Sequence, residues 1–251
     1  MLGTCRAGFA LALLVALLSG CATDKAARVP PQIHVAPYDT SQGEALWAVV
    51  PPANESGVSF ADTHLVADAL AAKLDEVRGI ACLPLNRTIA AMRALGISMV
   101  RTPAEARALA SAMGVDAVVV GSITAYEPYD PPKLGLALAV FARDGRARVI
   151  ADPMKLQTAY SDRDTPVRSQ FADRPVAAIS EHFDGANHEV QLALQRYSAG
   201  RHEPGSALGW RGMLASMSLY VEFAAHEAVG RLIEQERLRL AQPPAAQQAA
   251  R

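Results

Sequence analysis

The chain has 251 residues, of which 51% are apolar and 20% charged, and its formal net charge at pH 7 is −1. A balance this close to neutral indicates neither a basic nucleic-acid-binding face nor an acidic tail, so no nucleic-acid partner is predicted. The length and apolar content predict one large or two small globular domains with a substantial core.

Residues 1–20 have the layout of a secretory signal peptide. One basic side chain, Arg6, precedes an uninterrupted apolar run over residues 7–18, and small residues follow it. The run is too short to persist as a membrane-spanning helix, so we predict that residues 1–20 are removed during export.

The signal segment ends in a quartet that resembles the lipobox of bacterial lipoproteins, namely Leu18, Ser19, Gly20 and Cys21. In that family the cysteine is diacylated on sulfur, and its new amino group is acylated after cleavage. The resemblance implies a stable membrane anchor through lipid on Cys21. In a two-membrane bacterium, Ala22 in place of Asp implies the outer membrane, with the protein facing the periplasm. The alternative is an ordinary signal peptide with a chance cysteine.

Residues 21–44 are predicted to form a lipidated tether, because they are rich in Ala, Pro and polar residues without apolar periodicity. Such a segment stretches to on the order of 80 Å. After loss of Cys5 and lipidation of Cys21, only Cys82 remains, so no internal disulfide is predicted. Its apolar surroundings predict a buried, inert thiol.

Residues 45–183 are predicted to form an α/β domain. In chain order the pattern predicts a strand over 46–50, a helix over 61–77, a strand over 80–83, a helix begun by Asn86, a helix over 103–113 and a buried strand over 116–126. The start of the helix at 103 is marked by a capping box, with Thr102 as the cap, Pro103 in the first position and Glu105 facing back.

The second half is predicted to contain further strands and then helices. The pattern predicts a strand over 134–141, a hairpin through Asp144 and Gly145 into 147–151, an edge strand over 156–160, a strand over 179–183, a helix over 187–199 and a long helix over 210–240. Residues 184–241 are thus C-terminal helices packing on the domain, and 242–251 form a disordered tail. This order predicts an α/β fold, or an α+β fold, with a small mixed sheet flanked by helices and a helical C-terminal extension.

Residues 47–123 resemble a domain that recurs in bacterial envelope lipoproteins. The resemblance rests on a first strand that ends in Pro and Asn and on the segment Gly-Val-Asp-Ala-Val-Val-Val-Gly-Ser-Ile at 114–123. The group includes the curli secretion lipoprotein, the penicillin-binding-protein activator lipoproteins and the amino-terminal domain of TolB. The resemblance implies a fold and an envelope context, and it carries over no catalytic residue.

Motifs for catalysis or cofactor binding do not stand out. The segment Gly-Ser-Ala-Leu-Gly at 205–209 places serine wrongly for a nucleophile elbow, and no phosphate-binding loop occurs. The segment beginning His226-Glu227 starts like a zinc-protease helix, but Gly230 stands where the second histidine is needed. We interpret that pair as a solvated polar face, and no cofactor is predicted.

One polar cluster has the composition of a metal site. Five potential ligands fall within nine residues: Glu181, His182, Asp184, His188 and Glu189. Imidazole and carboxylate together suit zinc or similar metals, with His182, Asp184 and His188 as the candidate ligands. The same residue types also cap helices and occupy first helical turns, and we favour that interpretation.

A proline-held loop over residues 126–132 is the candidate partner surface. Its candidate contact residues are Tyr126, Tyr129, Pro131 and Pro132. Tyrosines stiffened by prolines offer rigid amphipathic area at a low entropic cost, as interaction hot spots do. The alternative is a connection that simply packs on the sheet.

The sequence therefore favours a non-enzymatic, lipid-anchored periplasmic protein that binds or regulates an envelope assembly. A second hypothesis is a subunit of an oligomeric outer-membrane secretion pore, but the apolar run at 134–141 has the pattern of a core strand and not of a barrel strand. A third hypothesis is a metal-dependent hydrolase built on residues 181–189.

Overall fold

The computed structural model describes residues 30–41, 43–143, 174–201 and 206–241. Its strands are β1 (Ala45–Val49), β2 (Ala53–Asn54), β3 (Ile80–Cys82), β4 (Ala117–Glu127), β5 (Lys133–Ala142) and β6 (Ala177–Asp184). Its α-helices are α1 (Thr63–Asp75), α2 (Leu85–Ala94), α3 (Pro103–Met113), α4 (His188–Ser198) and α5 (Met217–Ala241), and a 3-10 helix covers Gly209–Met213.

The strands form one mixed sheet in the order β3-β1-β4-β5-β6, with β2 paired to β4 beside β1. Pairing is parallel among β1, β2, β3 and β4, and antiparallel from β4 to β5 and from β5 to β6. The predicted fold class, a mixed sheet flanked by helices, is confirmed. Within the described ranges, no helix is both long enough and apolar enough to cross a membrane.

Strand β1, which lies between β3 and β4, is apolar throughout because it is buried on both faces. Trp47 and Val49 point into a core under α1 and α5, whereas Ala48 and Val50 point into a second core under α2 and α3. This alternation follows from the two-residue period of a strand. A parallel strand covered by helices on both sides gives the uninterrupted apolar run seen in the sequence.

Helix α5 belongs to the main core. It packs against α1 and β6, and both Tyr220 and Phe223 are fully buried in the cluster that contains Trp47. The C-terminal helical segment therefore shares its hydrophobic core with the sheet.

The prediction of a free tether as far as residue 44 is wrong for residues 32–38, which we call the strap. Val35 forms a bridge with Arg78, and Ala36 and Tyr38 are buried. The Tyr38 hydroxyl donates a 2.8 Å hydrogen bond to Glu236 Oε1 in α5. Polar and proline-rich composition hid this contact, because its partners lie almost 200 residues away.

Two predicted helix starts also differ. Helix α2 begins at Leu85 with Pro84 as its cap, so Asn86 lies inside the helix; burial of Leu85 sets the start. The predicted helix from residue 210 is divided, because the 3-10 helix ends at Met213 and α5 begins only at Met217. The capping box of Thr102 and Glu105 is confirmed, with Gly114 in the left-handed conformation at the other end.

Several predicted features lie outside the described residues: the signal peptide over 1–20, the lipidation site Cys21, the hairpin through 144–151, the edge strand over 156–160 and the tail from 242. Strand β5 pairs with β6 on the side that does not pair with β4, and Lys133 lies opposite Asp184 and Val140 opposite Ala177.

Tyr38→Phe tests whether the strap is part of the folded domain. Glu236 is completely buried and keeps its pair with Arg239, but it loses one donor in the variant. Hydrogen bonds to charged groups contribute about 1.5–3 kcal/mol, so we expect the free energy of unfolding in urea to fall by that amount. Tyr129→Phe, at an exposed hydroxyl, is the matched control, and its change should stay within about 0.5 kcal/mol. Equal stability of the two variants would contradict a docked strap.

Candidate partner-binding surface

Tyr126 is placed by an irregularity near the end of β4. The register between β4 and β5 shifts between Ile123 and Ala125, so Thr124 is an extra residue in the ladder. A bulge of this kind resets the alternation of side chains. As a result Tyr126 pairs with Leu134 and packs against the main core, on the same face as Ile123. Tyr126 is therefore a strand residue, which agrees with the predicted strand over 116–126 and excludes it from the predicted loop over 126–132.

Phe60 joins Tyr126 from a different part of the chain. The two rings meet edge to face, with their centroids 6.1 Å apart, yet 62% of Phe60 is exposed. The turn before it is fixed by Asn54, whose Nδ2 donates to the Val58 carbonyl at 2.8 Å and whose Oδ1 accepts from the Ser56 hydroxyl at 2.7 Å. Phe60 was not predicted as a contact residue from the sequence. The available signal for it was an isolated aromatic residue just before the helix cap Asp62.

The loop that joins β4 to β5 covers residues 128–132. Tyr129 is 73% exposed at its tip and Pro131 is also exposed, after a cis peptide bond from Asp130. Pro132 is buried, and its carbonyl accepts a 2.8 Å hydrogen bond from the Gly185 amide. Pro132 therefore lies beneath the surface and holds the loop in place. It is not an exposed contact residue, as had been expected from the sequence.

Four exposed carboxylates lie in the same segments of the chain as these aromatic residues. They are Glu55, Asp62, Glu127 and Asp130. The Glu55 amide donates a hydrogen bond to the Ile123 carbonyl, which places Glu55 beside β4. Partial burial, and next the charge of Asp62, raise the pKa of the Tyr126 hydroxyl. We call Phe60, Tyr126, Tyr129, Pro131 and these four carboxylates the aromatic tip.

The polar cluster at 181–189 does not converge. Glu181 and His182 are successive residues of β6, so their side chains leave opposite faces of the sheet. Asp184 accepts from the Ala186 amide at 2.9 Å and lies 3.4 Å from Lys133 Nζ, while Asn187 caps α4. Among the described residues no group of three or more His, Cys, Asp or Glu side chains is placed to hold a metal ion.

The prediction that His226 and Glu227 form a solvated polar face is wrong. His226 is only 3% exposed, and its ring lies 4.9 Å from that of Tyr197 and 4.3 Å from that of His34 in the strap. Burial also raises the pKa of the Glu227 carboxyl. Cys82 is half-buried and not, as predicted, fully buried, and partial burial raises the pKa of its thiol to about 12.

Comparison with known proteins gives structural similarities alone. No protein-family model matches the chain, and no curated protein matches it. Lipoprotein GNA1162 from Neisseria meningitidis is similar over 47% of this chain and 93% of its own, with 20% identity and a TM-score of 0.35. The LpoB C-terminal domain from Escherichia coli is similar over 41% of this chain and 76% of its own, with 17% identity and a TM-score of 0.31. The hypothetical protein CT253 from Chlamydia trachomatis is similar over 78% of this chain and 99% of its own, with 9% identity and a TM-score of 0.40.

Gly135→Ala tests how the tip is built. A Cβ at residue 135 would collide with Thr124 Oγ1 and would lie 2.8 Å from the Ala125 amide nitrogen, at the bulge that orients Tyr126. Overpacking of this kind costs about 1–3 kcal/mol, which urea unfolding measures. Gly212→Ala is the control, because its Cβ would make only an ordinary 3.6 Å contact with Leu208. A neutral effect at residue 135 would show that the tip does not depend on that close approach.

Proposed function

We propose that this chain is a lipid-anchored, non-enzymatic protein of the bacterial envelope that binds another envelope protein through the aromatic tip. The lipobox at Cys21 supports the anchor, and Ala22 after it supports the periplasmic face of the outer membrane. The proposal is carried by one observation: the large aromatic side chains of Phe60 and Tyr129 are exposed to solvent, and hydrogen bonds stabilise the short loops that carry them.

Exposed rings on a rigid support suit protein binding. Aromatic side chains supply large contact area with few rotatable bonds, and they are enriched at the energetic centres of interfaces. The exposed carboxylates of the tip favour a partner surface that carries Arg or Lys, since complementary charge raises the rate of encounter and excludes surfaces of like charge.

The position of the tip also fits an anchored protein. Helix α1 is capped by Asp62 beside the tip and ends next to Glu76. The side chain of Glu76 binds Arg201, which also binds the strap where the strap enters the domain. The 13 residues of α1 separate these two ends by about 20 Å. A domain held through its strap can therefore present the tip away from the lipid.

The two alternatives receive less support. A pore subunit needs strands that alternate between lipid and a wet lumen, whereas β5 lies between β4 and β6 and sends Leu136 and Leu138 into the main core. A metal-dependent hydrolase needs converging ligands, and the strand period separates Glu181 from His182.

The anchor is tested by Cys21→Ala, with metabolic labelling by an alkyne analogue of palmitate. We expect the variant to lose the label, while Cys82→Ala, the matched control, keeps it because Cys21 is intact in that variant. Equal labelling of the Cys21→Ala variant and the unaltered chain would contradict lipidation at this residue.

The binding surface is tested by photo-crosslinking in cells of the native host. A benzoylphenylalanine at residue 129 of the full lipidated chain should form a discrete adduct with a second protein. The same group at residue 238, where an exposed leucine lies near the end of α5, is the control and should not.

A second variant tests the tip as a unit. Phe60→Ser should reduce the residue-129 adduct by on the order of tenfold, the effect of losing about 1.4 kcal/mol of binding. Leu238→Ser should leave the adduct unchanged. Adducts of equal strength from both positions would contradict the proposed surface, and a ladder containing only this chain would favour the pore hypothesis.

A further inference from the structure

The strap is held against the domain by polar contacts from three helical regions. Arg201, just after α4, donates from Nη2 to the Gln32 carbonyl at 2.9 Å, and Arg237 of α5 donates to the Val35 carbonyl at 3.1 Å. The strap backbone also exchanges two hydrogen bonds with Arg78, from Ala36 N to Arg78 O at 2.9 Å and from Arg78 N to His34 O at 3.0 Å.

His34 occupies a shaped seat on α5. Its ring stacks on His226 with 4.3 Å between centroids, and its Nε2 donates to the His226 carbonyl at 3.2 Å. A Cβ at Gly230 would lie 2.5 Å from His34 Cε1, so only glycine leaves room for the ring. The glycine that breaks the zinc-protease pattern in the sequence thus makes space for a histidine from the other end of the chain.

The surroundings of this ring pair disfavour a positive charge. Three cations lie near the pair: Arg237 in α5, Arg201 in the turn after α4, and Lys73 in α1, which acts on His226. The nearby anion is Glu76, at the end of α1. Glu76 already pairs with both Lys73 and Arg201, so its negative charge is shared. The ring of Tyr197 covers the other side of His226, and the guanidinium of Arg201 lies 4.4 Å from the centroid of that ring.

The titration of the two histidines agrees with this geometry. Burial, opposed by the hydrogen bond to the His226 carbonyl and reinforced by Arg201, lowers the pKa of His34 below its ordinary value. Burial, followed by the nearness of His34, lowers the pKa of His226 to about 3. Both rings are therefore neutral while the strap is docked at pH 7.

We propose that the strap is a pH-sensitive clamp on the tether: neutral His34 holds residues 32–38 against α5 at pH 7, and protonation of His34 in mild acid releases them. Ten residues lie between Cys21 and the strap, and a chain of that length spans at most on the order of 35 Å. Release frees the chain as far as β1 and about doubles that reach. This consequence for reach rests on the proposed function, because it needs the lipid on Cys21; the clamp itself does not.

The direction of the pH effect follows from linkage. A base whose pKa is lower in the docked state stabilises docking above its undocked pKa of about 6.5, and this contribution is lost as the pH falls below that value. At pH 5 an undocked histidine is almost fully protonated, so opening is favoured by up to about thirtyfold.

Hydrogen–deuterium exchange of the full chain at pH 7 and pH 5, corrected for intrinsic rates, tests the clamp. The Ala36 amide reports strap docking, and the Leu83 amide, bonded to the Trp47 carbonyl inside the sheet, reports the integrity of the domain. We expect protection at Ala36 to fall on the order of tenfold at pH 5, with Leu83 unchanged. No loss at Ala36, or an equal loss at Leu83, would overturn the proposal.

Three variants assign the effect. His34→Gln removes the titrating ring of the strap and should abolish most of the difference in Ala36 protection between the two pH values, whatever the level of that protection. His64→Gln, at an exposed histidine in α1, should keep the full loss. Gly230→Ala fills the seat and should lower protection at both pH values. Retention of the wild-type pH dependence in His34→Gln would overturn the clamp. Because exchange is read without a partner or a lipid, that result would leave the proposed binding function standing, and failure of the crosslinking would leave the clamp standing.

Discussion

The contact between the strap and α5 is the constraint on which the arrangement of this protein depends. Helix α5 is buried along most of its length, and that burial takes His226 and Glu236 out of water. Buried polar groups are costly unless they are paired. The strap supplies part of both environments, through the His34 ring and the Tyr38 hydroxyl, so the two ends of the chain stabilise each other.

This contact gives the domain two distinct ends. Where the chain enters, Arg201 and Glu76 hold the strap, and at the other end of α1 Phe60 and Tyr129 stand in solvent. The proposed attachment at one end and the proposed recognition at the other would suit a protein that contacts a partner beyond the membrane. In the proposed clamp, the pH would change how far the tip extends and leave its shape unaltered.

The features predicted correctly from sequence are those set by neighbouring residues. The capping box at Thr102 depends on residues three apart, and the apolar run of β4 depends on burial of both strand faces. Asn86 failed as a cap because burial of Leu85 draws the start of the helix one residue earlier. Phe60 on Tyr126 and His34 over Gly230 could not be predicted, because each contact depends on the sheet order and the path of the strap. The bulge at Thr124, which sets the facing of Tyr126, likewise could not be predicted, because neither Thr124 nor its two chain neighbours is a glycine or proline.

The most direct test of this account is a measurement of how the domain stands on a membrane. The lipidated chain would be placed in vesicles with an acceptor dye in the headgroup layer, and energy transfer would be measured at pH 7 from a donor at residue 129 or, separately, at residue 32. The account predicts that residue 129 lies farther from the bilayer than residue 32 by on the order of 20 Å, the length of α1. Equal distances, or a tip in contact with the lipid, would contradict it.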